Sequence, residues 1–313
     1  MTTVVWLVAM VAGTGAIVWG AESFAEHLAD ASKRLGVTAF ALAVLLAGAE
    51  PEELATVVTA SARDVGGVAF GDVIGANAVI VTVALGVGAW TATIPFGRKI
   101  QRYAVGGLLT GIIATTLMWD GALGRPEGAL LVALYVVFVG VIWWSEHEPP
   151  ALGEAGELDE EAEAGGRVGR DLAWVVVGLA ALTGGSIVLV EGVRQITGFE
   201  ETQTRLGLTV VGFATAFELV VLARSASRHG VTEAVIAGVV GSYAYNMTMS
   251  LGVGALVSPI RITDATLLHL PLLVMLILLG VAIALGAREG RLGRRDALAL
   301  VAGYPVFVLA ALL

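Results

Sequence analysis

Three carboxylates and a proline stand inside an apolar run at Gly48-Ala49-Glu50-Pro51-Glu52-Glu53. Each charge at a bilayer centre costs on the order of 2.5–3.5 kcal/mol on insertion scales, so packing does not account for all three. Proline removes a backbone donor, and a broken helix frees carbonyl oxygens that suit hard cations. On a continuous helix Glu50 and Glu53 share a face, while Glu52 points about 100° away from Glu53. Glu52 alone could equally snorkel or pair with a base. A second acid lies in Thr215-Ala216-Phe217-Glu218, with no basic residue following until Arg224. A helix-buried acid without a partner titrates or binds a cation. Further oxygens come from Asp72 and Asn77, with Gly75 between them, and from Ser242, Tyr243, Tyr245 and Asn246, after Gly241. The glycines suit close helix packing equally well, and the two tyrosines could be packing aromatics.

These residues are placed by a repeat. The stretch 48–89 returns 166 residues later at 214–255 without a gap. Glu52 meets Glu218, Ala60-Ser61 meets Ala226-Ser227, Gly75 meets Gly241, and LGVGA (85–89) meets LGVGA (251–255). An internal repeat that carries intramembrane acids is the signature of a secondary transporter. Without a proline in the second copy, the helix break would sit at Pro51 in one half and have nothing to impose it in the other.

Composition fixes the solvent. Hydrophobic residues make up 57% of the 313 and charged residues 14%, against roughly 25% charged in soluble domains. Apolar runs of span length fall at about 4–28, 37–62, 67–90, 103–120, 127–144, 172–195, 206–223, 231–257, 264–286 and 296–313. The expected fold is therefore an all-α integral membrane protein of ten transmembrane helices. The N-terminal run has no basic n-region or A-x-A site and reads as the first span rather than a signal peptide.

Thirteen of the 18 basic residues fall after spans 1, 3, 5, 7 and 9, among them Arg98, Arg224, Arg228 and Arg294. The positive-inside rule places that set in the cytoplasm and both termini outside, in the plasma membrane. The repeats occupy spans 2–3 and 7–8, an odd offset, which gives two five-helix halves of inverted topology. The expected organisation is a first half at 1–145, an acidic cytoplasmic linker at 146–171 and a second half at 172–313. The linker, rich in Glu with Pro and Gly, reads as a solvated, disordered segment. It lacks a calcium-loop pattern.

With no cysteine, the chain holds no disulfide and no thiolate site, and its four histidines show no metal-ligand spacing. No cofactor is expected beyond transported cations, and no nucleic-acid partner. The expected partners are inorganic cations and the lipid bilayer, with the oligomeric state open and a monomer compatible with it.

The two repeats resemble the alpha-repeats of the calcium/cation antiporter superfamily, which read G-T-S-L-P-E-L-A-T and then G-N-V-V-G-S-N-I-F-N. The matching segments are GAEPEELAT (48–56) with GDVIGANAVI (71–80), and ATAFELVVL (214–222) with AGVVGSYAYN (237–246). The resemblance extends over nearly the whole chain. It implies alternating access to a central cation site formed by spans 2, 3, 7 and 8. Glu53 falls on the family's ion-binding glutamate, whereas Leu219 holds that place in the second repeat. Glu52 and Glu218 replace the motif proline, Glu50 a serine and Asp72 an asparagine. Ala76 and Ile80 stand where the motif has Ser and Asn, while Ser242 and Asn246 are kept.

The candidate cation ligands are thus Glu50, Glu52, Glu53, Asp72, Asn77, Thr215, Glu218, Ser242 and Asn246. The expected function is exchange of calcium or a similar cation (magnesium and manganese included) for sodium or protons, or sodium/proton exchange. The extra carboxylates tilt the counter-ion toward protons. The alternative is a passive channel or uniporter using the acids as a selectivity ring. An enzyme is not expected, since no nucleophile or zinc-ligand spacing accompanies the acids.

Overall fold

The computed structural model describes residues 3–35, 50–146, 168–230 and 232–313. The described chain is helical apart from short connections: α1 (Thr3–Leu35), α2 (Pro51–Ala62), α3 (Gly66–Thr91), α4 (Arg98–Leu117), α5 (Arg125–Glu146), α6 (Val168–Ile196), α7 (Glu200–Arg228), α8 (232–257), α9 (Thr266–Glu289) and α10 (Arg294–Leu312). Seven of these are long and apolar enough to cross a membrane: α1, α3, α5, α6, α7, α9 and α10. The expected spans at 37–62, 103–120 and 231–257 are not among them. Residues 37–49 of the first lie outside the described residues. The second, α4, opens on Arg98, Lys99 and Arg102, and α8 carries Ser242, Tyr243, Tyr245 and Asn246. The expected linker at 146–171 also lies outside, except for Glu146 at the end of α5 and the first residues of α6.

The repeat in sequence is a repeat in structure, at the same offset of 166. Helix α2 (Pro51–Ala62) corresponds to Phe217–Arg228 of α7, and Gly66–Val79 to Thr232–Tyr245. The π-helical turn at Ile80–Ala84 of α3 corresponds to that at Asn246–Ser250 of α8. Two-residue strands follow the pattern: β1 (Ile94–Pro95) pairs antiparallel with β4 (Arg291–Leu292), and β2 (Ala122–Leu123) with β3 (Ile260–Arg261). From β2 onward the offset is 169. Glu127 accepts from the Gly124 amide (3.1 Å) and Asp296 accepts from the Gly293 amide (2.9 Å), so α5 and α10 begin with the same cap.

The core belongs to α3, of which 94% of the spanning window is buried, against about a third for α1, α5, α6 and α9. Apolar residues on all faces suit a helix enclosed by others. Its closest neighbour is α7, and the contact is made of backbone. A Cβ on Gly212 would sit 2.5 Å from the Ala76 nitrogen and 2.7 Å from the Asp72 carbonyl oxygen, and one on Gly75 would sit 2.3 Å from the Leu208 carbonyl oxygen. Only glycine allows two helices so near. Helices α1 and α6 pack along one another, again through glycines, and α6 contacts α2.

Candidate functional site

In both repeats a helix starts at the same place, at Pro51 in the first and Phe217 in the second. In the first, Glu50 takes an extended-side conformation (φ −109°, ψ 79°) and α2 begins at Pro51, where a missing N–H costs nothing. In the second, α7 is interrupted at Ala216 (φ −76°, ψ −2°), 166 residues on, with no proline present. The expectation that the second half has nothing to impose a break is therefore corrected. The close approach of Gly207 and Gly212 to α3, with a π-turn at Gly207–Val211, holds this stretch out of regular register. Each of these helices carries acids in its first turn, Glu52 and Glu53 in one and Glu218 in the other. The positive end of a helix favours negative charge there.

Glu50 accordingly does not share a regular helix face with Glu53, as a continuous helix would have it. It precedes the helix, with its carbonyl accepting from the Leu54 amide at 3.0 Å. Its carboxylate accepts from the Ser242 hydroxyl, which joins α2 to α8. It also lies within hydrogen-bonding reach of Glu52 and within electrostatic range of Glu218 and Glu53. Glu52 sits near Tyr245, whose ring meets Tyr135 of α5 edge-on at 5.4 Å. Glu53 stands beside Asp72 and Thr215, yet neither of its oxygens closes a hydrogen bond of ordinary geometry. Thr215 donates to Asp72 Oδ1 at 3.0 Å, and the second Asp72 oxygen is buried without a donor. Asn246 Nδ2 donates to Asn77 Oδ1 at 3.4 Å, and the Ser250 hydroxyl donates to Asn246 Oδ1 at 3.5 Å.

All nine residues singled out in the sequence are buried, Glu53, Asp72, Asn77, Thr215, Ser242 and Asn246 completely so. The structure links them into three groups: Glu50 with Glu52, Ser242 and Glu218; Glu53 with Asp72 and Thr215; and Asn77 with Asn246. Among the described residues, no lysine or arginine acts on Glu50, Glu53 or Asp72. Carboxyls this close cannot all be ionised without a counter-charge. Two within hydrogen-bonding reach of each other need a proton between them or a cation beside them. Among the described residues, no three His, Cys, Asp or Glu side chains are drawn together as ligands of one ion. The arrangement is thus a set of oxygens around a charge deficit, rather than a closed metal cage.

Ser250 was not singled out in the sequence, although it stands one helical step of four from Asn246. Tyr243, left open between ligand and packing, lies with its hydroxyl over Gly111 of α4. Tyr245, left open likewise, approaches Glu52 and Glu50.

Known proteins share this arrangement of two halves. The family whose members are described as "Sodium/calcium exchanger protein" matches residues 5–144 and again 171–313, skipping the acidic segment between. The chain belongs to this family. Two curated relatives agree. The protein named "Putative antiporter CaxA" of Alkalimonas amylolytica is 26% identical over 258 residues, 82% of this chain and 79% of its own. The inner membrane protein YrbG of Escherichia coli K12 is 21% identical, over 85% of this chain and 84% of its own. The solved sodium-calcium exchanger NCX_Mj, soaked with sodium and strontium, superposes with a TM-score of 0.61 at 20% identity, over 98% of this chain and 99% of that one. At that identity the likeness establishes the fold. The protein is therefore a multi-pass member of a transporter family, built for cation exchange and not an enzyme.

Proposed function

We propose that this protein is a secondary active exchanger that moves calcium or a similar divalent cation against sodium or protons. Alternating access acts on a central site made of Glu50, Glu52, Glu53, Asp72, Asn77, Thr215, Glu218, Ser242 and Asn246. The observation that carries this reading is the set of five buried carboxyls, drawn from both repeats, with no basic partner among the described residues on Glu50, Glu53 or Asp72. An empty, fully ionised cluster of this kind is costly in low dielectric, so a departing divalent ion must be replaced by other cations. That requirement couples two fluxes. The correspondence of the helix starts at Pro51 and Phe217 supports two halves of inverted topology meeting at the site. We place ten spans in the plasma membrane, five per half, at 1–145 and 172–313. The acidic segment 146–171 joins them in the cytoplasm, and both termini lie outside. Transported cations and the bilayer are the partners.

The test is uptake of radioactive calcium into proteoliposomes under an outward sodium gradient, then a proton gradient, then neither. Uptake only with a gradient supports exchange and identifies the counter-ion. Equal uptake with no gradient supports a pore. No calcium uptake under any gradient, by folded protein, refutes calcium as substrate.

A further inference from the structure

A cavity of about 560 Å³ opens where α3 ends, α7 ends and α10 begins, and its wall carries Arg224, Arg228 and Arg294 beside Trp90, Leu298 and Val301. No carboxylate among the described residues pairs with any of the three arginines. Arg294 donates Nε to the Trp90 carbonyl at 3.4 Å and lies over the Trp90 ring at 5.7 Å. It is also the first residue of its helix, where the dipole's positive end disfavours a cation and favours an anion. Three guanidiniums around one crevice repel unless something negative enters.

The repeat supplies an internal control. At the other end of the molecule Arg125 donates Nε to the Leu256 carbonyl at 3.2 Å, the counterpart of Arg294 on Trp90. The helix-to-helix tie is therefore common to both ends. The rest is not: Val58, Ala62 and Leu256 stand where the crevice has Arg224, Arg228 and Trp90. The fold does not need these arginines, and one end alone has them.

We propose that this crevice binds the phosphate headgroup of an anionic phospholipid. It lies at the ends of three membrane-spanning helices, the depth at which headgroups reside. Guanidinium forks match phosphate oxygens bidentately, and basic pockets between transmembrane helices take such headgroups. Leu298 (60% exposed) and Trp90 (49% exposed) offer apolar and amphipathic surface beside the charges for the acyl chains and the glycerol region. A free inorganic anion would have no use for that surface.

The full-length protein in detergent micelles is titrated with dioleoyl phosphatidylglycerol, dioleoyl phosphatidylcholine or inorganic phosphate, and adducts are read by native mass spectrometry. The site predicts retention of phosphatidylglycerol over phosphatidylcholine. Retention should fall about fivefold in R224Q and about thirtyfold in R224Q/R228Q, and stay unchanged in R125Q. Both crevice positions are exposed, so folding does not depend on them. Equal retention of the two lipids, or undiminished retention by R224Q/R228Q, overturns the proposal. So does a loss in R125Q equal to that in R224Q, or inorganic phosphate held as tightly as the lipid.

Discussion

Thr215 on α7 gives its hydroxyl to Asp72 on α3 across 3.0 Å of buried space, tying the broken helix of one repeat to the second helix of the other. The same hydroxyl lies 3.1 Å from the Val211 carbonyl, inside the π-turn that precedes the break. One contact therefore fixes both the helix pair and the orientation of a carboxyl that stands beside Glu53. Thr215→Val leaves Asp72 Oδ1 without its donor and should cost about 1–3 kcal/mol. Asp72→Asn keeps an acceptor for Thr215 and removes a charge, so it should melt no lower than the wild type. Thermal unfolding of the two variants in detergent checks the order; a lower melting point for D72N than for T215V would refute it.

The glycine contact between α3 and α7 makes a second prediction. A methyl at Gly212 meets the Ala76 nitrogen at 2.5 Å and the Asp72 carbonyl at 2.7 Å, and backbone cannot step aside as a side chain can. Gly212→Ala should destabilise the protein by about 1–3 kcal/mol through overpacking. Gly140→Ala, with nothing near the added carbon, should change the melting temperature little. Equal melting points for the two would mean that α3 and α7 are not in backbone contact.

Outside the site, Glu191 of α6 holds Arg63, which follows α2, at 2.9 Å, and also Gln195 at 2.6 Å and Arg194 at 3.9 Å. Partly exposed pairs contribute about 1 kcal/mol or less. Glu191→Gln removes the charge from two arginines and should lower stability more than Arg63→Gln, which removes one. Denaturation in low and high salt tests this, since screening should shrink the difference. A gap that grows with salt would contradict it.

The sequence carried the repeat because its two copies align without a gap, and every corresponding helix boundary in 50–91 and 216–257 obeys that offset. The candidate residues were legible because acids in apolar runs are conspicuous: all nine are buried, and each joins in a hydrogen bond or close electrostatic contact with another of the nine. Local geometry was less legible. Glu50 reads as part of a helix until Pro51 is seen to begin one, and the break at Ala216 has no residue to announce it. That break depends on glycines packed against a helix more than 120 residues away in sequence, which no local pattern encodes. Ser250 escaped notice because serine in an apolar helix is commonplace, and only its spacing from Asn246 could have marked it. Helix α8 is not among the helices long and apolar enough to cross a membrane, and it carries the polar run of Ser242, Tyr243, Tyr245 and Asn246 in its middle.

The central claim is that the buried carboxyls bind and carry the exchanged cation. It is tested most directly by calcium uptake into proteoliposomes containing wild type, Glu53→Gln or Glu218→Gln, under the gradient that drives the wild type. Glutamine keeps shape and hydrogen-bonding capacity while removing the charge, so both variants should remain folded and lose transport at least tenfold. Folded variants that transport at the wild-type rate would remove those residues from the site and contradict the account.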